Sequence, residues 1–147
     1  MELDTRKKLY SYLEREKIVS VLNDTKWQKL FDCLKTTDNY YLDFRRKDLN
    51  SSESPNWNGD LYEVFGMWQI IEWMEIRTDR AHLPELNLAV KNSGVPYSKN
   101  NDILKVWGYL RPGVSPNWVQ KMHLTSRANG RFRSLGNSKP LRALESP

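Results

Sequence analysis

The segment LYEVFGMWQIIEWMEIRT, residues 61–78, decides how this chain is read. Its second half, Gln69–Thr78, is dense in isoleucine and tryptophan and reads as a β-strand. Leu61–Phe65 reads as another strand, and with Gly66-Met67-Trp68 at the turn the simplest arrangement is a hairpin at the centre of a sheet. Alternation along the second strand puts Glu72 on one face with Ile70, Met74 and Ile76, and Glu75 on the other with Ile71, Trp73 and Arg77. One carboxylate is thereby assigned to an apolar face. Together with Asp60, Glu72 and Glu75 could hold a divalent cation or form an acid/base pair. The simpler reading leaves Glu75 in water and bonds Glu72 to a cross-strand cation such as Arg45, Arg46 or Lys105.

Working outward, Tyr40–Arg45 alternates with period two and suits a half-buried strand, and Ile103–Leu110 is a fourth strand-like run, stopped by Arg111-Pro112-Gly113. Helical periodicity flanks the sheet. Trp27, Leu30, Phe31 and Leu34 recur at i, i+3, i+4, i+7 behind a cap at Asp24 or Thr25, and Leu3–Leu22 carries a drifting apolar stripe. Leu83–Ser93 is a further helix, opened by Pro84 and closed by Gly94. The expected class is α+β: a mainly antiparallel sheet of four strands with the N-terminal helices and one further helix on one face.

With 147 residues, the chain holds one ordinary domain and no second core. The formal charge is +5, which suggests an acidic or nucleic-acid partner until it is partitioned. Residues 1–110 carry 16 Lys plus Arg against 17 Asp plus Glu; residues 111–147 carry seven against one. Residues 1–118 are therefore expected to be the folded domain and 119–147 a basic, flexible tail, too poor in apolar residues to build a core. No apolar h-region opens the chain and no run approaches a membrane span, so a cytoplasmic setting is expected. Cys33 stands alone, and His82 and His123 have no partners at ligand spacing. No phosphate-binding loop, nucleophile elbow or dinucleotide fingerprint is present, so no catalytic residue, metal set or cofactor is assigned.

Four segments carry a family resemblance: NDTKWQKLFDCL (Asn23–Leu34), WNGDLY (Trp57–Tyr62), IEWMEI (Ile71–Ile76) and VPYSKNNDILKVWGYLRPG (Val95–Gly113). In order and spacing, residues 23–113 resemble a family of small bacterial proteins, a numbered domain of unknown function. The resemblance implies a fold and a bacterial cytosolic setting and carries over no catalytic residue. Proteins of this kind often look like immunity proteins, which makes a toxin-like protein the first partner to expect. Binding to it would use Arg45, Trp57, Tyr62, Glu72, Trp73, Glu75, Trp107 and Tyr109, residue types favoured at interface hot spots or neighbouring them on the sheet. The alternative is a nucleic-acid accessory protein, with Arg127, Arg131, Arg133, Lys139 and Arg142 of the tail supplying charge and an aromatic, basic sheet face stacking bases.

Overall fold

Helix α2, Asp24–Leu34, realises the strongest periodic signal of the chain: Trp27, Leu30 and Leu34 are buried on one side of it, and Asn23, not the expected Asp24 or Thr25, caps it by accepting from the Lys26 amide. The computed structural model describes Leu3 and residues 5–36, 41–52 and 56–119; the expected tail, with Arg127, Arg131, Arg133, Lys139 and Arg142, lies outside them, as does Tyr40. The chain divides into two units, Met1–Asn117 and Trp118–Pro147, and every element described here belongs to the first.

Before α2 come helix α1, Arg6–Glu16, and the short strand β1, Val19–Ser20. After it run strand β2 (Asp43–Asp48), helix α3 (Leu61–Val64), strand β3 (Ile71–Arg77), helix α4 (Leu83–Ser93) and strands β4 (Tyr97–Asn100), β5 (Ile103–Trp107) and β6 (Tyr109–Leu110). The main sheet is antiparallel throughout in the order β2-β3-β5-β4, and β1 pairs with β6 in a separate ribbon. Helices α2 and α4 share one core with the sheet: Trp27, Leu30, Leu86 and Val90 meet Phe44, Met74, Ile76, Leu104 and Val106. A smaller cluster of Leu3, Leu9, Ile18, Leu49 and Tyr109 lies under α1. The fold is α+β with a four-stranded antiparallel sheet, as expected in class.

Several boundaries differ from the sequence reading. The helix expected over 3–22 stops at Lys17, whose φ of 58° is left-handed, and Val19 and Ser20 leave it to pair with Leu110 and Tyr109. Leu61–Phe65 is not a strand. Asp60 accepts from the amides of both Tyr62 and Glu63 and starts a helical turn that drives Val64 and Phe65 into the core. There the Phe65 ring meets Phe31, Trp27 and Phe44 at centroid distances of 5.3, 6.1 and 6.1 Å. The fourth strand is instead β4, joined to β5 by Asn101-Asp102 with Asn101 at φ 57°. The expected strand 103–110 is cut at Gly108, where a Cβ would lie 2.2 Å from the Ile71 carbonyl oxygen; the chain passes from one sheet to the other at that point.

Alternation also fails once on β3. Lys47 pairs with Trp73 but Asp48 pairs with Ile71, so the ladder skips Glu72. This bulge leaves Ile71 fully buried in the core and sends Glu72 to the charged side of the sheet, the reverse of the faces expected for both.

A candidate protein-docking face

The sheet face turned away from α2 and α4 is built as cross-strand rows. One row reads Arg45, Glu75, Lys105, Ser98 across β2, β3, β5 and β4; the next reads Lys47, Trp73, Trp107 across β2, β3 and β5; Asp43 and Arg77 are a third pair. Neighbours in a row are close enough to bond. Arg45 donates to Glu75 at 2.5 and 2.9 Å, and the Lys105 ammonium stands 3.9 Å from the other oxygen of the same carboxylate. Arg77 holds the buried Asp43 through Nε and Nη2 at 3.1 and 2.8 Å.

The tryptophans are fixed by these cations. Lys105 Nζ lies 4.1 Å from the Trp73 ring centre and 4.4 Å from that of Trp107, whose indole N–H donates to Ser98 Oγ at 3.1 Å. Trp57 comes from the loop after β2. Its neighbour Asn58 exchanges two backbone hydrogen bonds with Phe44, and this sets the Trp57 ring under the guanidinium groups of Arg77 and Arg45, at 3.8 and 4.7 Å. At one margin Glu72 receives Lys47 Nζ at 2.7 Å and Arg111 Nε at 3.1 Å, and Arg111 continues to the Tyr12 hydroxyl and the Leu49 carbonyl. Burial pushes the Lys105 pKa below the usual lysine value against the opposing pull of Glu75 and Glu72, whereas the hydrogen bond to Glu72 raises that of Arg111.

Of the residues singled out from sequence, Arg45, Trp57, Glu72, Trp73, Glu75 and Trp107 meet on or beside this face. Two do not. Tyr109 is buried in the smaller cluster and donates to the Gln69 carbonyl at 2.5 Å; Tyr62, 71% exposed, stands on α3 beside the Phe31 ring of the helical layer. The expected cations for Glu72 are also exchanged: Arg45 and Lys105 serve Glu75, Arg46 bonds Asp48 and the carbonyls of Val64 and Gly66, and Glu72 takes Lys47 and Arg111. Asp60 is spent on capping α3. Alternation along 69–78 places Arg77 with Trp73 and Glu75, as the structure does; sequence reading missed Ser98 and Arg111, which reach the face only through pairing between distant segments. Among the described residues no three His, Cys, Asp or Glu side chains converge as metal ligands, and no helix is long and apolar enough to cross a membrane.

Away from this face, a concavity of about 540 Å³ opens between α1 and the turn at Met67–Ile70, with Leu9, Leu13, Trp27 and Tyr109 in its wall and Arg6 and Asp24 also lining it. No curated protein and no solved structure matches the chain. A family of unknown function, DUF6678, matches residues 9–113, which contain every element from β1 to β6 and all of the candidate face. The chain belongs to this family.

Proposed function

We propose that this protein is a small cytoplasmic bacterial binding module that docks another protein on the outer face of its main sheet, in the manner of an immunity protein neutralising a toxin. The observation that carries this reading is the set of three half-buried tryptophans, Trp57, Trp73 and Trp107, each held in place by Arg or Lys on one face. Rigid aromatic anchors surrounded by arginine are the usual energetic centre of a protein interface. Pinning them before binding reduces the ordering cost that association otherwise carries.

The test is co-expression with the product of a neighbouring toxin-like gene, scored by growth rescue and by co-purification. The wild-type chain should bind and rescue, and the double variant Trp73→Ala/Trp107→Ala should do neither while retaining its far-UV circular dichroism. Full rescue by that variant would move the docking surface elsewhere. A second reading, nucleic-acid binding, draws support from the excess of cations over carboxylates on the same face. It requires binding that falls steeply with salt and depends on the face rather than on residues 119–147 alone.

A further inference from the structure

The docking face carries more positive charge than its own carboxylates balance. Among the described residues, Arg45, Lys47, Arg77, Lys105 and Arg111 are served by only Asp43, Glu72 and Glu75. Two of the three carboxylates are shared, Glu72 between Lys47 and Arg111 and Glu75 between Arg45 and Lys105. Arg77 spends both of its bonds to Asp43 on a single oxygen, and its side chain is 41% exposed beside Trp57. A guanidinium has five donors in a fixed fork, so these arginines retain geometry for further carboxylate oxygens.

We infer that the partner presents an acidic protein segment to this face, with Asp or Glu side chains completing the coordination of Arg77, Arg45 and Lys105 and apolar side chains between them seated against Trp57, Trp73 and Trp107. The inference rests on the protein-docking reading above and narrows it. Charge complementarity chooses the sign of the partner; the tryptophans choose an occupant with apolar side chains as well as acid. A nucleic acid fits less well, because its unbroken run of phosphates has to pass Glu72 and Glu75, which are fixed among the cations, whereas a peptide can set acids at Arg77, Arg45 and Lys105 and uncharged side chains opposite those carboxylates. The same charge makes a poor match for the basic surface with which a nucleic-acid-cleaving protein holds its substrate.

The test uses the full chain and three probes: a fluorescein-labelled Glu/Leu peptide, a Lys/Leu peptide of the same length, and single-stranded poly(dT). Fluorescence anisotropy should show the Glu/Leu peptide binding in a salt-dependent manner, with affinity lowered about tenfold or more by Arg77→Gln and by Lys105→Met. Arg77→Gln exchanges the guanidinium beside the buried Asp43 for a neutral amide, Lys105→Met keeps the aliphatic stem beside the two indoles, and far-UV circular dichroism of each variant checks that it is folded. Glu/Leu binding indifferent to both substitutions, no Glu/Leu binding at all, or poly(dT) binding that depends on Arg77 and Lys105 would each overturn the inference. A protein partner lost on Trp73→Ala/Trp107→Ala but not displaced by the Glu/Leu peptide would leave the docking reading standing and remove only its acidic specificity.

Discussion

Gly108 and Glu72 are two positions whose surroundings dictate the side chain, one by its absence and one by its charge. Gly108 lies where β5 ends and β6 begins: its amide donates to the Glu72 carbonyl at 2.9 Å, its carbonyl accepts from Val21 at 2.8 Å, and the ring of Trp27 is 3.2 Å from where a Cβ would stand. A methyl group there meets the Ile71 carbonyl oxygen, a backbone atom held in the strand, at 2.2 Å. Gly108→Ala is therefore expected to cost about 1–3 kcal/mol or more, read as a lowered midpoint in urea, because the strand has to move to admit it. An unchanged midpoint would mean that β5 and β6 are not pressed against β3 as described. Glu72 is the reverse case, a charge that the surroundings require. It is buried and answers to Lys47 and Arg111, so Glu72→Gln removes the counter-charge of both cations and should lower stability by about 1–3 kcal/mol. Glu75→Gln, whose partner Arg45 is about a third exposed, should cost less; equal losses would show that burial does not set the difference.

Helix α3 shows how a single cap overrules a strand pattern. Leu61–Phe65 has the composition of a strand, but Asp60 satisfies two amides ahead of it and Asn58 reaches Glu63 at 2.8 Å, so the local hydrogen bonds favour a turn. That turn delivers Phe65 to the centre of the aromatic cluster under β2. Asp60→Ala should cost about 0.5–2 kcal/mol by loss of the cap, and Asp60→Asn should recover most of it. Thermal melts of the two variants decide the matter, and equal losses would point to the charge rather than to the hydrogen bonds. The same contrast explains what was legible beforehand. Helices α2 and α4 announced themselves through spacing and caps, signals that reside within each segment. Strand β4 did not, because Tyr97–Asn100 is short and becomes a strand only by pairing with β5 across Asn101-Asp102. The bulge at Glu72 was hidden for a related reason: it depends on the register between β2 and β3, and alternation read from one strand alone assigns its neighbours to the wrong faces. Most of the docking face could be found in the sequence because tryptophans on strands are conspicuous. Arg111 could not, and Arg77, though alternation set it beside Trp73 and Glu75, could not be matched to Asp43, since both pairings join distant segments.

Taken whole, the folded unit has a larger core and a smaller one, and each buries a tyrosine: Tyr97 lies in the first and Tyr109 in the second. Burial raises the pKa of both phenols above their usual value near 10. As pH climbs past that value, the unfolded chain gives up phenolic protons that the folded chain still holds, so stability falls through the raised folded values. Lys105 acts in the opposite direction. Its lowered pKa means that the folded chain releases this proton first, so stability rises with pH from the lowered folded value to the ordinary lysine value of about 10.4. The expected profile of unfolding free energy is thus a rise that ends near the ordinary lysine value of about 10.4 and a fall that sets in near the ordinary tyrosine value of about 10, so the two limbs meet there. Lys105→Met should remove the rise and leave the fall, while Tyr97→Phe and Tyr109→Phe should each soften the fall. Urea unfolding across the alkaline range, followed by circular dichroism and by absorbance of the ionising phenols, measures both limbs. Because Gly108 links β5 of the large sheet to β6 beside the smaller cluster within one residue, the two probes should report a single transition. Ionisation of Tyr97 or Tyr109, read as the absorbance difference from Tyr97→Phe or Tyr109→Phe, that precedes loss of helix would show instead that one cluster opens before the other.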